Sequence, residues 1–207
     1  MQATANRLPP REKSDQARAR AIVRFNGLLF YGLAAASFLE TAAPLQAARL
    51  GRVFAMRPEV ALWLDQSWCP RSTELGRRLR DFIAATWPEF DWGAAYEEFH
   101  ERYRRGPALA SREPGAALEA LGLCVASTQA AVFYRALARG ADEPAVRELA
   151  RQAAQVHGAS FDYSSALFER LARYDRVGLL AAWRAVHASC GSAAAGRGAA
   201  RAPAPVV

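Results

Sequence analysis

Cysteine is scarce in this 207-residue chain: Cys69, Cys124 and Cys190 are its full set. An odd, sparse set excludes a disulfide-stapled scaffold and suits a reducing compartment, so a cytoplasmic location is expected. Runs of alternating Val, Ile and Thr are missing, and no Asn-Gly hairpin joins two such runs, which argues against a sheet. The longest apolar stretch, Phe25 to Leu39, is interrupted by Asn26, Gly27, Gly32 and Ser37. It falls short of a membrane span, so no membrane partner is expected. The polar, Arg-rich N-terminus has no apolar segment before a cleavage site, so no secretory signal is expected. Also missing are a Gly-rich phosphate loop, a Cys-x-x-Cys pair and a Ser-His-Asp order.

Arginine and apolar residues are plentiful. Hydrophobic residues make up 52% of the chain, enough for one sizeable core. The formal net charge is +7, yet it is unevenly placed. In residues 1–20, Arg7, Arg11, Lys13, Arg18 and Arg20 outweigh Glu12 and Asp15, and in 191–207 Arg197 and Arg201 have no acid beside them. Little excess remains for the middle. No motif of interleaved aromatic and basic residues accompanies the charge, so a nucleic-acid partner is not expected.

Residues 1–17, with Pro9-Pro10, read as a flexible arm, and 191–207 as a disordered Ala/Gly/Pro tail. The body, 18–190, is patterned for helices. One helix is expected over about 21–51, ending near Gly51. A second runs from Pro58 to Pro88, with a break near Pro70. A short helix follows at 93–105, capped by Asp91. A third long helix covers 114–139 with Leu118, Leu121, Val125, Val132 and Leu137 as its apolar stripe. A fourth covers 143–174 after Glu143-Pro144, and a last one 176–189. Four long helices with apolar stripes make an all-α, four-helix bundle with extra short helices the expected fold. Small residues in the first and third helices (Ala34-Ala35-Ala36, Ala130-Ala131) allow close packing or leave room for a cavity.

The chemistry natural to such a bundle is a carboxylate-bridged pair of metals, built from one Glu on each of two helices and a Glu-x-x-His pair on each of the others. Several segments bear on it: Leu39-Glu40 running to Pro44; Trp68-Cys69-Pro70 running to Leu75-Gly76; Pro88-Glu89-Phe90-Asp91-Trp92; Phe133-Tyr134-Arg135-Ala136-Leu137; Asp142-Glu143-Pro144; and His157. In order and spacing they resemble the ferritin-like superfamily, and within it the bacterial proteins related to acyl-carrier-protein desaturases. The resemblance covers roughly residues 24–175. It implies a diiron site, but most ligand positions are changed. Glu40 matches the first carboxylate and His157 the last imidazole. Ser72, Leu75, Ser127 and Ala154 stand where the other ligands are expected. No shift of register supplies a Glu on the third helix; the nearest is Glu119. Two ligands make a poor site for two irons, so no metal is expected, with iron kept only as an alternative cofactor.

Other titratable residues carry less. Glu97-x-x-His100 has ligand spacing but lies on the short helix among Tyr96, Phe99 and Tyr103. His187 is near the tail, Asp162 is off the face of His157, and Cys69 and Cys124 read as small packing residues near positions 72 and 127. The expected centre is Glu40 and His157, with Ser72, Leu75, Ser127, Thr128 and Ala154 lining an emptied pocket. Its expected role is binding a ligand or partner in acyl or small-molecule metabolism, without diiron chemistry. The first alternative is metal-independent acid–base catalysis by Glu40 and His157. The second is an iron-dependent oxidoreductase with atypical ligands. The resemblance implies a small hydrophobic or acyl ligand, free or tethered to an acidic carrier protein, and a homodimer. The arginines Arg77, Arg78, Arg80, Arg102, Arg104 and Arg105 would suit such a carrier, although solvated helix faces explain them as well.

Overall fold

The computed structural model describes residues 24–106 and 115–187, so the expected arm (1–17), the tail (191–207) and Cys190 lie outside the described residues. Every regular element among the described residues is helical: the protein is all-α. Helix α1 (Gly27–Thr41) opens at Asn26, whose side-chain oxygen accepts from the Leu29 N–H at 3.0 Å. Helix α2 (Ala43–Val53) follows at once. The single helix expected over 21–51 is therefore two, bent by 45°. Pro44 is the reason. It sits at the start of α2, has no N–H, and its ring conflicts with the carbonyl four residues back, that of Glu40. The Ala-rich sequence favours helix on both sides of the bend.

The break expected near Pro70 has a definite form. Helix α3 (Pro58–Trp63) runs into a π-helical turn (Leu64–Trp68), then α4 (Cys69–Thr86) begins with Pro70 in its first turn. The Cys69 N–H reaches back to the Leu64 carbonyl, one residue farther than an α-helical bond. Pro70 denies the regular ladder a donor, and the chain widens just before it. Helix α5 (Trp92–Arg105) starts where Asp91 accepts from the Ala94 N–H at 3.0 Å. Helix α6 (Ala116–Gly140) and helix α7 (Pro144–Asp175) complete the long elements, and residues 179–187 are helical again. The buried Glu143 caps α7, its carboxylate accepting from the Val146 N–H at 2.8 Å.

The most extensive pairings are α6 with α7 and α1 with α4; α4 also touches α7, and α2 touches α4. The largest core cluster joins Leu33, Leu79, Ile83, Val146 and Ala153 around Trp87 and Tyr134. A second joins Leu50, Val60, Ala117, Leu167 and Leu171. Gly76 sets the closest approach. A Cβ there would lie 2.7 Å from Thr41 Oγ1 and 2.8 Å from the Thr41 N, so only glycine lets α4 press against the bend at Glu40 and Thr41.

In α6 an 18-residue window has a mean hydropathy of 1.5, long and apolar enough to cross a membrane by length and composition, and α1 with α2 passes the same test if the bent pair is taken as one span. Only 28% of that window is buried. Val132 and Phe133 are exposed on its outer side, and Phe133 approaches Gly32 of α1.

Candidate functional site

Three helices bring one polar group each to a common point. Glu40 closes α1 just ahead of the Pro44 bend, Tyr134 lies in α6 and His157 in the middle of α7; all three are buried. His157 Nε2 lies 2.7 Å from Glu40 Oε1. The Tyr134 hydroxyl donates to the same oxygen at 3.0 Å. The Tyr134 and His157 rings are stacked, 5.4 Å between centroids and 14° between planes. A carboxylate oxygen only accepts, so the nitrogen facing it carries a proton. Burial, together with the Glu40 carboxylate beside it, holds the Tyr134 phenol well above its ordinary range, so it remains a donor.

The expected pair Glu40 and His157 therefore meets, and Tyr134 is the third member that sequence reasoning missed. Its signal was present only as part of the Phe133-Tyr134 segment. A tyrosine on an apolar helix reads as core packing, and its partner lies 94 residues away. Tyr134 belongs to the main core with Leu75 and Ala154, so an aromatic ring occupies space beside the pair where an emptied pocket was expected.

The other expected lining residues divide. Ser72, Leu75, Ser127 and Ala154 are all buried. Ser72 Oγ is a fully buried hydroxyl without a hydrogen-bond partner. Thr128 is a correction: it is exposed, and its hydroxyl donates back to the Cys124 carbonyl at 2.9 Å. Successive helical residues point about 100° apart, so an inward Ser127 turns Thr128 away. Around the centre, Cys124 is buried, and burial pushes its thiol up. His100 lies against Tyr96 at 5.7 Å while Glu97 is exposed, and Asp162 and His187 are exposed too.

A diiron site does not fit this donor set. One carboxylate and one imidazole remain, and an oxygen of one is hydrogen-bonded to a nitrogen of the other. Leu75 and Ala154 present hydrocarbon where ligands would be needed. Among the described residues, no group of three or more His, Cys, Asp or Glu side chains comes together as a metal centre. What the arrangement offers is a buried Glu–His–Tyr hydrogen-bond network. The chain matches no protein-family model, no curated protein and no solved structure.

Proposed function

We propose that this protein is a metal-depleted member of the ferritin-like fold that binds a small apolar or acyl ligand, or a partner, without diiron chemistry. The pairwise packing of α1 with α4 and of α6 with α7 supports a four-helix bundle as its frame. The observation that carries the functional reading is the 2.7 Å contact between His157 Nε2 and Glu40 Oε1. The two surviving ligand-type side chains satisfy each other, and Tyr134 completes the network. Such a network fixes the register of three helices around the bend.

The test is anaerobic loading with ferrous iron, desalting and quantification of bound metal by mass spectrometry, with His157→Ala as the control. Neither protein is expected to retain iron. Stoichiometric iron in the wild-type chain that disappears in the variant would overturn the proposal and put an iron-dependent oxidoreductase in its place.

The second reading is metal-independent acid–base catalysis by Glu40 and His157. The same short contact favours it, because a carboxylate that holds one imidazole nitrogen orients the other for proton transfer. The two readings part at His157→Ala. A binding protein keeps its ligand affinity and has no turnover to lose; an acid–base enzyme loses metal-independent turnover while it still binds.

A further inference from the structure

The arginines of α4 fall into two kinds. Arg77 holds Glu74 with two nitrogens at 2.8 and 2.7 Å and reaches Asp81 at 2.7 Å. Arg80 lies 3.7 Å from Asp81 and 5.5 Å from the Trp92 ring centroid. On α5, Arg102, Arg104 and Arg105 pair with Glu98 and Glu101 along their own helix. Such pairs cancel charge locally and leave little to attract an anionic partner. Arg71 and Arg78 differ. Arg78 donates to the neutral carboxamide of Gln152 on α7 and feels the Glu74 carboxylate at longer range, and among the described residues neither guanidinium has a carboxylate within ion-pair distance.

These two arginines border a groove of about 300 Å³ between α4 and α7. Pro70, Leu75, Ala153 and Val156 give it an apolar floor. Glu74 also reaches the rim, but its carboxylate is the one already gripped by Arg77. Neither Glu40 nor His157 lines the groove, so it is separate from the buried network.

We infer that this groove binds a small amphipathic carboxylate, with its apolar body on Pro70, Val156 and the edge of Leu75 and its carboxylate between Arg71 and Arg78. The charge is complementary: among the described residues neither guanidinium holds a carboxylate at ion-pair distance, and the planar fork of a guanidinium matches a carboxylate. The floor selects for an apolar body, since a bare anion would leave that surface wet. The volume is at the lower end of small-molecule sites and suits one ring or a branched aliphatic group, not a long acyl chain. The inference rests on the binding reading above and gives it a ligand class.

The test is an NMR titration of the full chain with 3-phenylpropionate, followed through backbone amide shifts. Two further probes separate the contributions: 3-phenylpropanamide keeps the body without the charge, and acetate keeps the charge without the body. The acid is expected to give saturable shifts confined to residues 70–78 and 152–156, and to bind roughly tenfold more tightly than either probe. The double variant Arg71→Gln/Arg78→Gln is expected to weaken the acid on the order of tenfold, to the level of the amide. Arg139→Gln, on the exposed side of α6, should change nothing. Equal affinity for acid and amide, equal affinity for acid and acetate, or no saturable shift at all would each overturn the inference. Iron loading reads the metal question separately, so the failure of one proposal is distinguishable from the failure of the other.

Discussion

Two polar clusters are sunk into this helical protein, and each contains a tyrosine. Around Tyr134 the contacts are a carboxylate and an imidazole, contributed by three helices. Around Tyr103 they are Gln46, which donates to the phenol, and the nearby Arg49, which pairs with Glu119 across α2 and α6. Arg49 and Glu119 are each only 12% exposed, and Arg49 Nε is buried without a partner. The guanidinium is a permanent cation facing an acid, which makes the second cluster a fixed electrostatic clamp. In the first, the Glu40 carboxylate is held by hydrogen bonds to a phenol and an imidazole, with no guanidinium against it among the described residues. Burial thus accompanies a charge-paired tie in one place and a hydrogen-bond network in the other.

The sharpest way to break the comparison is to remove a partner from each cluster. Arg49→Met leaves Glu119 with its charge and no counterion in a largely dry site, so a loss of about 3 kcal/mol in urea unfolding is expected. Adding Glu119→Leu to the same chain should recover most of it, because burying two apolar groups costs less than stranding one charge. A loss in the single variant below about 1 kcal/mol would place the pair with ordinary surface ion pairs and erase the contrast. Tyr134→Phe is the milder cut. It keeps the ring against His157 and deletes one hydrogen bond to Glu40, for an expected loss of about 1 kcal/mol. His157 remains beside Glu40 to satisfy the carboxylate, which is why the cost stays low. A loss as large as that of Arg49→Met would mean that the phenol, not the imidazole, is what makes Glu40 tolerable in the interior.

Sequence patterning exposed the parts of this structure that local chemistry governs. Asp91, Pro58, Pro70 and Pro144 mark helix starts because capping and the missing proline donor act within a few residues. Glu40, Ser72 and His157, singled out by the resemblance to ferritin-like proteins and not by local patterning, are buried. The bend at Ala42 was harder to foresee. Pro44 was in view, but alanine-rich flanks favour helix on both sides and hide a change of direction between two helices. Tyr134 was harder still, since its role depends on the meeting of α1 and α6, a tertiary fact without a local signature. The closeness that Gly76 permits has the same character: a glycine inside a helix becomes informative only once the backbone of Thr41 is seen against it.

The smallest predicted effect separates the two tyrosines by the sign of their neighbours. Burial is the largest influence on both phenols and raises both. Beside Tyr134 the Glu40 carboxylate adds to burial; beside Tyr103 the Gln46 hydrogen bond and the Arg49 charge oppose it. In the unfolded chain both ionise near pH 10, as free tyrosines do. A phenol raised in the folded state contributes its stability fully below the unfolded value, and that contribution is lost as pH climbs through the folded value. Wild-type stability in urea should therefore fall as pH rises above about 10. Tyr134→Phe should flatten that fall more than Tyr103→Phe, because the larger shift belongs to the phenol facing an anion. Urea midpoints measured for the three proteins across the alkaline range decide it. If the two variants flatten the curve equally, burial alone sets both phenols, and the Glu40 carboxylate adds nothing to the field inside its own network.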